Sequence, residues 1–183
     1  CLHGHCADRH IRNLLDLLEV KPEAARMRPT IRIIPGEMDR IVDAAERELA
    51  RTGHYYQRGG LLVTVVRDPS LGVARVRDVT LPTLTRALSA CATWESFDKR
   101  AEDWIRKDPP SRHMSVLHDA ANYRHLPVLG GVARHPYLRE DGSLMARAGY
   151  DPESFMFGDF NAELFSVPET PSKSQAQTAL DRK

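Results

Sequence analysis

The residues best suited to chemistry stand at the start of the chain. There Cys1-Leu2-His3-Gly4-His5-Cys6-Ala7-Asp8-Arg9-His10 gathers two thiols and three imidazoles within ten positions. Thiolate sulfur and imidazole nitrogen are the soft ligands that suit tetrahedral zinc, and a closed structural site takes four of them. Such a site usually divides the four into two pairs on separate loops. Cys1 and Cys6, with His3 or His5 as alternates, supply one pair, so the partner pair is expected upstream of Cys1 and the chain is expected to be an internal piece of a longer protein. Alone, this run would hold zinc weakly or not at all.

A second set of candidates is cationic. The chain has 21 Arg against 5 Lys, and the planar guanidinium is the group suited to bidentate phosphate contacts, although GC-rich coding produces the same bias. A net charge of +1 gives no nucleic-acid signature over the whole chain. Locally, Arg58 precedes Gly59-Gly60, Arg75 and Arg77 sit two apart in a strand-like run, and Arg134, Arg139 and Arg147 fall among short apolar runs nearer the C-terminus. These six are candidate phosphate contacts, weighed against the plainer reading of solvated strand faces. Tyr55 and Tyr56 could stack on bases, but before a Gly-Gly turn they read better as cross-strand packing partners. His113 and His118, five apart, are out of register for a helical metal pair and read as surface residues.

No catalytic residue is assigned. The chain has no Gly-x-x-x-x-Gly-Lys-[Ser/Thr] loop and so no ATP site of that kind. Asp39, Asp43, Asp141 and Asp151 read as helix-surface and turn residues rather than a two-metal centre.

The elements that would carry these residues are short. Asp8 can cap a helix in which Ile11, Leu14, Leu15 and Leu18 recur at helical spacing, and residues 21–35 read as a linker. A stripe of Met38, Ile41, Val42, Ala45 and Leu49, stopped by Gly53, predicts a helix whose apolar face is core. Residues 55–57 and 61–66 about the Arg58-Gly59-Gly60 turn predict a hairpin, 73–79 a third strand with one charged face, and Pro82, Leu84, Ala87, Leu88 and Cys91 a second helix. Cys91 reads as a small apolar residue. The segment 94–110 holds both tryptophans and ends at Asp108-Pro109-Pro110, where a further helix using Met114 and Leu117 is expected to run to about Asn122. Beyond it, 128–135, 143–148 and 155–157 read as strands between turns at 140–142 and 149–152. The fold class is therefore α+β: short helices, small antiparallel hairpins in an order reminiscent of a winged helix, and a small C-terminal β unit.

Several runs carry a resemblance. Asp108-Pro109-Pro110, Leu126-Pro127-Val128-Leu129-Gly130-Gly131-Val132, Pro136-Tyr137-Leu138-Arg139-Glu140-Asp141-Gly142-Ser143-Leu144 and Gly149-Tyr150-Asp151 resemble the primase-helicase replication proteins of phages and integrative elements, in the segment before the P-loop helicase. Cys1 to Arg9 is similar to the last ligands of that family's primase-type zinc motif. Val167-Pro168-Glu169-Thr170-Pro171 with Ala176 and Ala179-Leu180 resembles the linker into the ATPase, and the middle of the chain matches only in pattern, including Tyr56-Gln57-Arg58-Gly59-Gly60-Leu61-Leu62-Val63. The resemblance implies a complete protein that binds zinc, engages single-stranded DNA, and unwinds or primes with ATP and magnesium in a missing downstream domain, through which it could form a homo-hexamer. Residues 1–20 would end the zinc motif, 36–107 form a winged-helix-like unit, 108–165 a helix with a β unit, and 166–183 the linker to the ATPase. No apolar run reaches the roughly 20 residues of a membrane-spanning helix, so a cytoplasmic protein is expected. The rival from another class is a winged-helix DNA-binding regulator with a Cys/His metal-sensing terminus. It would need a basic recognition helix, and none of the expected helices is strongly basic.

Overall fold

The computed structural model describes residues 28–161 and 164–165. Cys1, His3, His5 and Cys6, the helix expected after Asp8, and the run from 166 to 183 lie outside the described residues. The architecture is α+β, as the pattern predicts, with short helices and small sheets.

Strand β1 (Thr30–Ile33) leads into helix α1 (Met38–Arg51). The helix buries Ile41, Ala45 and Leu49 completely, and it ends where Gly53 turns to φ 71° and returns its N–H to Ala50 O at 3.0 Å. Strands β2 (Tyr55–Arg58), β3 (Leu61–Arg67) and β4 (Ala74–Asp78) form an antiparallel meander. Its first turn needs two residues at positive φ, which Gly59 (58°) and Gly60 (81°) provide. Helix α2 (Leu81–Cys91) then carries the chain to the hairpin β5 (Thr93–Asp98) and β6 (Asp103–Lys107), and β5 pairs in parallel with β1. Residues 30–33, expected within a linker, are therefore a strand. Ile31, only 3% exposed, belongs to the main core and anchors it.

Helix α3 (Ser111–His118) is shorter than expected, because Ala121 adopts φ 54° and breaks the helical run before Asn122. Met114 and Leu117 on this helix, with Tyr123 and Leu126 after it, enter the same core as Ile41, Leu49, Leu84, Leu88 and Trp94. The expected boundary at 107/108 thus runs through one hydrophobic core. The remaining strands are β7 (Gly131–Ala133), the hairpin β8 (Tyr137–Leu138) with β9 (Leu144–Met145), and β10 (Gly149–Asp151) with β11 (Met156–Gly158). Gly149–Asp151, read from sequence as a turn, pairs antiparallel with β11, which pairs in parallel with β7.

The meander joins the two parts. Leu62 and Val79 face the helical core, whereas Tyr56, Val63, Val65 and Val76 pack with Leu129, Tyr150 and Phe157. Successive side chains of a strand point to opposite faces, so a sheet covered on both sides takes an apolar run without alternation, which is the character of Leu61 to Val66.

Candidate nucleic-acid interface

The three candidate arginines of the meander do not share one face. On the meander, Arg75 and Arg77 lie opposite Val66 and Thr64 and share the face of Tyr55, while Arg58 lies opposite Leu61 and shares the face of Tyr56. Leu61 and Val66 are about 16 Å apart along β3, taking a rise of about 3.3 Å per residue. Arg75 makes an exposed contact to Asp68 at 3.4 Å. That carboxyl is held below its ordinary range chiefly by the backbone N–H of Ser70. Arg58, Arg77, Arg134 and Arg147 are exposed, and their side chains have no hydrogen-bonding or charged partner among the described residues.

Arg139 is different, and its expected role needs correction. Its Nε and Nη2 donate to Asp151 Oδ2 and Oδ1 at 2.9 and 3.0 Å, and its Nη1 lies 3.1 Å from Glu153. The Asp151 side chain is only 3% exposed and also accepts from Ser154 Oγ at 2.5 Å and Tyr137 Oη at 3.2 Å. The Arg139 guanidinium first, then the Ser154 hydroxyl and the Glu153 backbone N–H, hold this carboxyl well below the usual carboxylate range against the opposing effect of burial. Arg139 is thus bound into a network that fastens β8 and β10 together, and Asp151 is a buried member of it rather than a plain turn residue. The other three carboxylates match their expected settings. Asp39 and Asp43 meet Arg124 on the surface of α1 at 2.9 and 3.5 Å, and Asp141 Oδ1 accepts the Ser143 N–H at 2.8 Å within a turn.

The two histidines read as surface residues are half-buried. His118 Nε2 donates to the Val79 carbonyl at 2.8 Å, and its Nδ1 faces Asp119 Oδ1 at 2.5 Å. A carbonyl can only accept, so with a carboxylate on the other nitrogen the doubly protonated ring is favoured. The pKa is accordingly raised, first by the Asp119 hydrogen bond and against the opposing effect of burial. His113 is shifted the other way by burial. Tyr56 is a packing residue, as expected, with its ring 5.1 Å from Tyr150 and 6.5 Å from Phe157. The Cys91 thiol is pushed up by burial, in keeping with a packing role. Among the described residues no group of three or more His, Cys, Asp or Glu side chains is placed to hold a metal ion, and no helix is long and apolar enough to cross a membrane.

The surface that sequence reasoning passed over is the outer face of the β1-β5-β6 sheet. Register places Arg32, Glu95 and Arg106 abreast, with Phe97 beside Trp104. The two rings meet edge to face at 5.7 Å, and the Arg32 guanidinium lies 4.7 Å from the centre of the Trp104 ring. No apolar-polar alternation marks these strands, because Trp94, Ser96, Ile105 and Lys107 on one face and Glu95, Phe97, Trp104 and Arg106 on the other each mix apolar with polar types. Comparison with protein-family models, with curated proteins and with solved structures finds no match for this chain.

Proposed function

We propose that this chain is a non-catalytic accessory segment of a mobile-element DNA replication protein of the primase-helicase type, joining a primase-type zinc motif to an ATP-dependent helicase and contacting single-stranded DNA. The observation that carries the reading is where the resembling runs fall. Gln57 donates its backbone N–H to Pro127 O at 2.9 Å and accepts from Leu129 N–H at 2.8 Å, while its side chain donates to Tyr123 O and Leu126 O at 3.1 and 2.7 Å. Tyr150 Oη donates to Val128 O at 2.7 Å. The runs about Gln57, Leu126 to Val132, Arg139 and Tyr150-Asp151 therefore interlock, and the resemblance rests on one connected unit whose polar groups are spent on each other. Such a unit supports and positions. Zinc on Cys1, His3, His5 and Cys6, and ATP with magnesium in a downstream domain, belong to the same proposal.

The test is fluorescence anisotropy of the 183-residue chain, zinc-loaded and zinc-free, on single-stranded against double-stranded DNA across a salt series. The expected result is salt-sensitive binding that prefers the single strand. Replacing both Arg75 and Arg77 by Ala should lower the slope of log K against log salt by up to about 1.4, taking about 0.7 per single-strand phosphate contact. Absence of binding to either form would remove the DNA contact from the reading. A coding region that stops soon after Lys183 rather than entering a Walker loop would remove the helicase.

A further inference from the structure

The outer face of the β1-β5-β6 sheet has an unusual make-up. Phe97, one pair from the turn of the β5-β6 hairpin, is 49% exposed, and Trp104 beside it is half-exposed. Each ring offers apolar area to solvent, and the Arg32 guanidinium already occupies one approach to the indole at 4.7 Å. Arg106 stands two residues from Trp104 along β6, about 7 Å away, and its Nη2 reaches Thr93 Oγ1 at 3.4 Å. Thr93 and Arg106 also line an open cleft of about 420 Å³ whose other charged walls are Arg28, Lys107 and Asp108. Face and cleft are therefore continuous. Together they present four cations against two carboxylates, and Glu95 already lies 3.5 Å from Arg32. The acidic residues Asp98 and Asp103 close the far end of the hairpin.

We propose that this face is a stacking platform for single-stranded DNA, with bases laid on Phe97 and Trp104 and the backbone led past Arg106 into the cleft formed with Arg28 and Lys107. Paired exposed rings flanked by arginines satisfy the two demands of a single strand, a π-surface for unpaired bases and cations for the phosphates. A duplex offers no free base faces to the rings. A protein partner would gain from the rings but would have to desolvate the cations of the cleft, so charge complementarity favours the nucleic acid. The proposal deepens the single-strand reading above by giving it a site distinct from Arg75 and Arg77.

The experiment titrates the 183-residue chain with dT20 and with an abasic strand of equal length, reading Trp fluorescence and anisotropy. Trp94 is 2% exposed, so quenching on binding reports Trp104. The expected result is quenching by dT20. Phe97→Ala, at an exposed position that tolerates truncation, should weaken dT20 about 5- to 150-fold, the range corresponding to one lost base-aromatic stack, while leaving the abasic strand nearly unaffected. Trp104→Phe should keep most of the affinity, and Arg106→Gln should weaken both strands. If Phe97→Ala binds dT20 within twofold of the wild type while the Arg75/Arg77 double variant does not, the strand runs elsewhere and this proposal falls while the reading above stands. If the wild-type chain binds no single strand, both fall. Concentration-dependent self-association that Phe97→Ala abolishes, without any DNA effect, would make the face an interface between copies and likewise overturn it.

Discussion

Leu117→Ala tests whether residues 108–126 share a core with the residues before them. Leu117 lies on α3, is completely buried, and packs within the cluster that contains Ile41, Leu84, Leu88 and Trp94. Truncation removes the transfer free energy of the side chain and leaves a cavity that helices α1 and α2 cannot fully close, a cost of about 2–5 kcal/mol. Taking about 3 kcal/mol and a urea dependence near 2 kcal/mol per molar, the unfolding midpoint should fall by roughly 1.5 M. The assay is urea unfolding followed in parallel by far-ultraviolet circular dichroism and tryptophan fluorescence. Both tryptophans lie in the hairpin 93–107, well before the substitution, and Trp94 is tied to α2 by its Nε1 donating to Leu88 O at 3.2 Å. In a single cooperative core the two probes shift together. A fluorescence midpoint that stays within about 0.3 M of the wild type, while circular dichroism develops a separate early transition, would refute the shared core and restore an independent unit starting at 108.

Two further outcomes follow from individual groups. Glu46, 4% exposed on the apolar stripe of α1, accepts the N–H groups of His125 and Leu126 on one oxygen at 2.5 and 3.3 Å. Glu46→Leu strands both donors and should cost about 2–5 kcal/mol by urea unfolding, whereas Glu46→Gln, which keeps an acceptor, should cost much less. His118 has a folded pKa raised above its unfolded value of about 6.5 by the Asp119 hydrogen bond. Its contribution is therefore fully present below that pH and lost as pH rises through the folded value. The stability difference between wild type and His118→Gln should shrink between pH 5.5 and pH 8.5, and a difference that is constant or grows would show that the ring is held neutral.

The legible parts of the fold were those written in local pattern. The stripe of α1 stopped by Gly53, the Gly59-Gly60 hairpin and the stripe opened by Pro82 each carry a local pattern with its own punctuation, and all three form where expected. What escaped were pairings set by partners far along the chain. Residues 30–33 are too short and too mixed to read as a strand until β5 lies beside them 63 positions later. Trp94 and Ser96 on one face and Glu95 and Phe97 on the other each mix apolar with polar types, so only the turn at 99–102 reveals a hairpin, and that turn has no Gly or Pro. The same distance effect governs the candidate site. Nothing local to Arg139 announces Asp151, twelve residues on, whereas the solvation of Arg77 follows from its place in an alternating strand.

That difference bears on how resemblance should be turned into function. A run such as Pro136 to Leu144 attracts notice because its residue types are specific, and specificity is easily taken for contact with a ligand. Here Arg139, Tyr137 and Asp151 satisfy one another inside the β unit, and Gln57 spends four hydrogen bonds on the 123–129 segment. Buried polar networks demand particular residues at particular positions because each unpaired member would cost about 1–3 kcal/mol, so specificity of sequence at those positions follows from folding alone. Residues free to meet a partner must instead be those the fold leaves unspent. By that criterion the weight moves from the motif-rich C-terminal unit to Arg77 on β4 and, above all, to Phe97, Trp104 and Arg106 on the open sheet, which carry no motif and which the fold leaves exposed or half-exposed to solvent.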